Sequence, residues 1–415
     1  MKPGPRMAGV ASLALLATAA GSRPALAGEN LATERMLGDV IQQEATQPPA
    51  EGETPVSGKW AVLPQLGYSP DKGPNAGIKF TDRDATPARM TIDLAGLYAL
   101  KRQQSAGVTV VAPHFLEDQL ILAVEGDYML DPTKEFFGLG NNSVGPDPLS
   151  THSYRLLSVL GTAAARPLPR LTLALTAGFT EVRIRRGKLE NDKPSTVDAF
   201  PTLAGIHGGH TNPLAFSIVF NNREDITRPT RGWNLIAKVQ HVNRAAGSDF
   251  QFTRYILDGS YLYPLLTRRQ VLGLRIGGEF IDAKRRQLPF YELSALGGSE
   301  TLRGFFLDRF LGRSRVLING EYRLGLADFD FFNIWRVRID GVLFGDMGRV
   351  FIDQSEFSNE FRANKRLVPR VFEDFRYSYG GGVRIALGEA ILARIDAGFS
   401  KEETGLVYLT FGHTF

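Results

Sequence analysis

From Lys59 to the C-terminus, apolar and polar residues alternate along the chain. In VLGLRIGGEFI, Leu272, Leu274, Ile276 and Phe280 share one parity with Gly278, and Arg275 and Glu279 share the other. In AILARIDAGF, Ile391, Ala393, Ile395, Ala397 and Phe399 oppose Arg394 and Asp396. In RVLINGEYRL, Val316, Ile318, Tyr322 and Leu324 oppose Arg315, Asn319, Glu321 and Arg323. A period of two is that of a β-strand, whose successive side chains point to opposite faces. The pattern predicts about sixteen strands, from 59–68 to 405–415, with 119–130 and 213–221 among them. An even number suits an antiparallel barrel whose two chain ends lie on the same side.

A soluble sandwich alternates in the same way, so two further features carry the distinction. Many segments reach ten residues or more, the length a tilted strand needs to cross a bilayer and longer than the ordinary globular strand. Aromatic residues number 42, and Trp60, Tyr68, Trp233, Tyr261, Tyr263 and Trp335 fall at segment ends, as interfacial girdles do. Hydrocarbon tolerates no open sheet edge, so such strands must close on one another. The expected fold is an all-β transmembrane antiparallel barrel over residues 58–415.

The N-terminus adds an address. Lys2 and Arg6 precede an apolar stretch from Met7 to Ala20, and Ala25-Leu26-Ala27 offers a small-residue cleavage site; residues 1–27 are expected to be a signal peptide. Residues 28–57 carry Glu29, Glu34, Asp39, Glu44, Glu51 and Glu53 against Arg35 alone. They are expected to form an acidic periplasmic tail and linker, either solvated or with Leu37, Val40 and Ile41 on one face of a short helix between Ala32 and Gln43. Removing Lys2, Arg6 and Arg23 from 48 basic residues leaves 45 against 44 acidic ones, a balance that does not invite nucleic acid. There is no cysteine, which excludes disulfides, thiolate metal sites and thiol nucleophiles.

The loop GGSETLRGF at 297–305, between the eleventh and twelfth predicted strands, resembles the (Val/Leu)-Arg-Gly-(Phe/Tyr) signature of the BamA/TamA superfamily, the bacterial surface antigen barrels. Further stretches match in the same order: FFGLGNNS at 136–143, DITRPTRGW at 225–233, NGEYRL at 319–324, LFGDMGRVF at 343–351 and YGGGVRIALG at 379–388. The ending GLVYLTFGHTF resembles the C-terminal strand signal of outer-membrane barrels, with His413 departing from its apolar alternation. The resemblance implies a place in the cell outer membrane, contact with its lipids, and a role in insertion, assembly or translocation of protein or lipid. Client polypeptides or a separate periplasmic protein are the partners it implies. Residues 28–57 are too short for one of the family's periplasmic POTRA domains. The first and last strands form the family's lateral seam; Pro64 removes one ladder donor there, and Phe415 ends the last strand.

Parity puts Glu321 on the ionic face of its strand, and Asp346 shares parity with Arg336, Arg338 and Asp340. The expected arrangement is a loop folded into the lumen, with the Arg303 guanidinium reaching Glu321 and Asp346 and with Gly304 permitting close backbone approach before Phe305. The resemblance implies the same contacts. Two other function classes make different demands on the chain. A passive pore or structural barrel would need no plug. A lipid enzyme would need a Ser-His pair, and His152-Ser153 point to opposite faces of a strand. His207 and His210 lie in a glycine-rich loop with no nearby third ligand. No catalytic residue, metal or cofactor is assigned.

Overall fold

The computed structural model describes residues 60–82, 85, 90–115, 120–141, 147–187, 193–224, 229–284, 286–331, 335–352, 374–387 and 391–411. The expected signal peptide and acidic tail, and Phe415, lie outside the described residues.

Strands dominate: β1 (Trp60–Ser69), β2 (Gly73–Asp82), β3 (Thr91–Ala99), β4 (Gln104–Phe115), β5 (Leu120–Phe136), β6 (Ser150–Leu168), β7 (Leu171–Arg186), β8 (Gly208–Thr211), β9 (Pro213–Asn221), β10 (Gly232–Val242), β11 (Phe252–Pro264), β12 (Gln270–Ala283), β13 (Ser294–Leu296), β14 (Phe310–Gly312), β15 (Ser314–Phe331), β16 (Trp335–Phe351), β17 (Arg376–Leu387), β18 (Ile391–Phe399) and β19 (Leu406–Phe411). β8 and β9 both pair with β7 and together make one broken stave, and β13 pairs, among the described residues, with β14 alone. The remainder closes as a sixteen-stave antiparallel barrel, with β1 meeting both β2 and β19.

The barrel is inside out relative to a soluble core. On β12, Leu272, Leu274, Ile276 and Phe280 are exposed outward, while Arg275 and Glu279 are buried. On β18, Arg394 and Asp396 are fully buried and Ile395 is exposed. An outward apolar band around an ionic interior is stable only against hydrocarbon, and closing the ladder brings β1 against β19 so that the sheet does not end in an open edge there. Trp60, Trp233 and Tyr263 lie exposed at stave ends, and Trp233 stacks on Tyr261 at 4.1 Å.

Two departures from the alternation have local causes. β5 runs on past 130 to Phe136, and its ladder with β6 shifts register between Asp131 and Lys134, where Pro132 cannot donate. The eighth stave starts at Gly208 rather than 213, because Gly208-Gly209 has no side chains with which to show a period. The long connections 137–149, 187–207, 284–313 and 352–375 all leave the same end of the barrel. Outer-membrane barrels carry their long loops outside and their short turns on the periplasmic side.

Candidate functional site

The 284–313 connection starts with a 3-10 turn at Phe290–Glu292 and then forms the β13–β14 ribbon. Phe290 and Leu293 join an apolar cluster under the long loops with Phe136, Tyr154 and Leu288. Beyond the ribbon the chain turns at Gly297 and Gly298, whose φ of 121° and 87° suit glycine alone. Thr301 Oγ1 closes the turn, accepting from Gly297 N and donating to Gly297 O, both at 2.8 Å. Leu296, Leu302, Phe305 and Phe310 make a small apolar core against Leu317 of β15 and Val350 of β16.

At the tip of this loop Arg303 is fully buried. Its Nε donates to Asp346 Oδ2 at 2.9 Å and its Nη2 to Asp346 Oδ1 at 2.6 Å, a bidentate fork. Its Nη1 donates to Glu321 Oε1 at 2.5 Å, and its backbone N–H donates to Asp346 Oδ2 at 3.1 Å. The guanidinium lies 3.6 Å from the ring centre of Phe344, within cation–π range. Glu321 and Asp346 face inward because both have the ionic parity of their strands. β15 and β16 pair with Asn319 opposite Asp346 and Glu321 opposite Phe344, so both carboxylates and the ring converge on one point.

Further charges balance this centre. Arg323 donates to Glu321 Oε2 at 2.8 Å. Arg384 of β17 sits 3.5 Å from Glu321 and 2.6 Å from Asp396 of β18. Arg394 lies 3.4 Å from Asp396 and 2.6 Å from Glu300 of the loop. Four arginines (303, 323, 384, 394) thus face four carboxylates (300, 321, 346, 396), and the cluster is neutral. Asn319 Nδ2 donates to Asp346 Oδ1 at 2.8 Å and to Thr301 O at 2.7 Å; Ser378 Oγ donates to Asp346 Oδ2 at 3.2 Å. Desolvating so many ions offsets much of their attraction. The network therefore specifies where the loop sits more than it adds to stability.

Glycines make the approach possible. A Cβ on Gly304 would meet the Phe399 carbonyl carbon at 2.6 Å and Ser378 Cβ at 2.8 Å. A Cβ on Gly398 would meet the Arg303 carbonyl oxygen and Gly304 N, the latter at 2.9 Å. In YGGGVRI, Gly380 leaves room for the Phe344 ring and Gly382 for the Asp396 carboxylate. The FFGLGN stretch covers the loop from above. Gly140 N donates to Leu311 O at 2.7 Å, Val350 N donates to Asn141 Oδ1 at 3.0 Å, and Lys134 pairs with Asp308 at 2.7 Å. Tyr408 of β19 donates to Phe305 O at 3.0 Å.

The structure therefore brings Arg303, Gly304, Phe305, Glu321 and Asp346 together. Asn319, Phe344, Ser378, Arg384 and Asp396 belong to the same centre and were not singled out from the sequence. Their signal was inward parity within NGEYRL, LFGDMG and YGGGVRI. Pro64 lies in β1 opposite Ile78 of β2. Among the described residues β1 meets β19 at one register position, Tyr68 opposite Leu409, whereas β1 and β2 pair at ten, from Trp60–Asp82 to Ser69–Gly73.

The histidines lie elsewhere. His152 is buried, with Nδ1 3.2 Å from Thr196 Oγ1 and its ring edge-on to Phe290. His210 Nδ1 is 2.8 Å from Asp249, and His207 lines the same open cleft of about 420 Å³. Among the described residues no three His, Asp or Glu side chains are placed to hold a metal ion.

Comparison with known proteins gives a family match and a set of similar folds. The model of the Omp85 superfamily domain matches residues 88–415. BamA from Haemophilus ducreyi, solved without POTRA domains 1–3, superposes with a TM-score of 0.62 at 16% identity, covering 85% of this chain and 70% of that one. CdiB from Escherichia coli gives 0.58 at 12% identity, covering 87% of this chain and 63% of that one. CdiB from Acinetobacter baumannii gives 0.51 at 10% identity, covering 85% and 58%. Among curated proteins no sequence matches the chain.

Proposed function

The chain belongs to the Omp85 superfamily, and from that premise we propose that it passes a client polypeptide or lipid into or across the outer membrane through the β1–β19 seam, while the arginine-clamped loop keeps the lumen closed. Superfamily membership makes it an outer-membrane barrel with a general role in assembly or translocation, and members of the superfamily are transporters or assembly factors. The observation that carries the finer reading is the seam: among the described residues one paired position at β1–β19 against ten at β1–β2. Every ladder bond a strand pair lacks lowers the cost of parting it, and Pro64 takes one donor from β1. The clamp serves this reading by anchoring the loop to β15, β16, β17 and β18, with Tyr408 tying it to β19, so that the loop stays on the β19 side when β1 parts from it. An open seam exposes strand edges, onto which an unfolded strand can add.

A reversible lock tests it. Tyr68 and Leu409 sit directly opposite each other, and directly opposed Cβ atoms are about 5 Å apart, within reach of a disulfide after slight adjustment. The chain has no other cysteine. In vesicles containing the Tyr68→Cys/Leu409→Cys variant, insertion of a small urea-unfolded β-barrel protein should stop on oxidation and return on reduction. Equal insertion in both states would remove the seam from the mechanism.

A further inference from the structure

The short-turn end of the barrel carries a one-sided charge that the clamp and seam do not use. Arg170 on the β6–β7 turn, Arg231 at the end of the β9–β10 turn, and Arg268 and Arg269 on the β11–β12 turn are all exposed. These three turns are successive along the rim, since β7, β9, β10, β11 and β12 are neighbours in that order. The one acid among their described residues is Glu224, 4.0 Å from Arg268. Between the arginines stand Leu168, Leu265 and Leu266, exposed at 60%, 42% and 86%. By contrast, Arg336 near the β15–β16 turn is satisfied by a two-pronged bond to Asp328 at 2.9 Å.

β1 starts at this same end, so the segment before it emerges there. That segment, residues 28–57, has six carboxylates against one arginine, and Leu37, Val40 and Ile41 among them. Charge and apolar character are therefore complementary between segment and arc. Reach is sufficient. Sixteen staves about 4.8 Å apart and tilted by about 40° enclose a mouth roughly 30 Å wide. Residues 44–57 alone extend to about 45 Å. A tethered segment also meets the arc at an effective concentration in the range of about a millimolar, which a free periplasmic protein does not match.

We propose that the acidic segment 28–57 docks in cis on the arginine and leucine arc of the β6–β7, β9–β10 and β11–β12 turns. The arc is on the far wall from the β1–β19 seam. This holds whether or not the seam opens.

Cysteine pairing in the full chain in detergent tests the proposal, with strand content checked by circular dichroism. Leu37→Cys/Leu266→Cys should form an intramolecular disulfide faster than Leu37→Cys/Asp330→Cys, which probes the rim at the β15–β16 turn. Adding Arg268→Glu/Arg269→Glu should slow the first pair about fivefold, the loss expected of two exposed ion pairs. Further addition of Glu34→Lys/Asp39→Lys should restore it. Equal rates at the two rim positions, or indifference to charge reversal, would overturn the proposal. So would loss of the bias in vesicles containing phosphatidylglycerol but not in those of phosphatidylcholine alone, which would assign the arc to lipid phosphates.

Discussion

Replacing Arg303 by alanine removes the group around which the loop is organised, and the structure sets the scale of the loss. Asp346 loses a bidentate fork and Glu321 loses one prong, while the Phe344 ring loses its cation. Breaking a buried ion pair by removing one partner costs about 3–5 kcal/mol, since the other charge is left desolvated. Remaining donors place this case at the low end: Glu321 keeps Arg323 and Arg384, and Asp346 keeps Asn319 and Ser378. About 3 kcal/mol is somewhat over a hundredfold in an opening equilibrium. Because the sixteen-stave ladder does not depend on Arg303, the loss should fall on the loop and not on the barrel. Hydrogen exchange reads this directly. The amides of Phe305, bonded to Leu302 O at 3.0 Å, and Gly298, bonded to Phe305 O at 2.9 Å, should exchange about a hundredfold faster, while strand amides of β10 to β12 should not change. Arg303→Lys, which keeps the charge but loses the fork, should fall between. Arg303→Ala with Asp346→Asn should recover part of the loss, because the orphaned charge is gone. Unchanged loop exchange would refute the clamp; equal acceleration of loop and strands would make Arg303 a residue of global stability instead.

Gly304→Ala should detach the loop at a cost of about 1–3 kcal/mol through overpacking against Phe399 and Ser378, read by the same loop amides; Gly345→Ala, whose Cβ meets nothing within 4 Å, should have no effect. Leu302→Ala empties a fully buried site beside Leu296 and Phe310 and should destabilise the loop by about 2–5 kcal/mol, seen as faster proteolysis within 297–313 in an otherwise intact barrel. In planar bilayers the wild-type protein should show low conductance and Arg303→Ala a higher and noisier one. Steady large conductance that is the same in both would sink the closed-lumen reading.

The barrel was legible in the sequence because a two-residue period is a local property. Leu272, Leu274 and Ile276 against Arg275 and Glu279 state which face is which, and segment length together with the outward apolar face points to hydrocarbon. Where side chains carry no alternation, the reading was incomplete: Gly208-Gly209 hid the start of the eighth stave, and Pro132 hid the bulged continuation of β5. The centre around Arg303 was legible in part. Glu321 and Asp346 follow from parity within NGEYRL and LFGDMGRVF, and Gly304 from its lack of a side chain.

By itself, the sequence determined the strand pattern, the inward parity of the ions and the placing of glycines where no Cβ is tolerated. All of these follow from backbone geometry over a few residues. Tertiary structure alone decided which ions meet. Stave order and register set Asn319 opposite Asp346 and Glu321 opposite Phe344, bring Gly398 of β18 against the Arg303 backbone, and leave β1 and β19 with one described pair. Those juxtapositions join residues tens to hundreds of positions apart, and closure of the barrel, a property of the whole ladder, is what puts them within bonding distance.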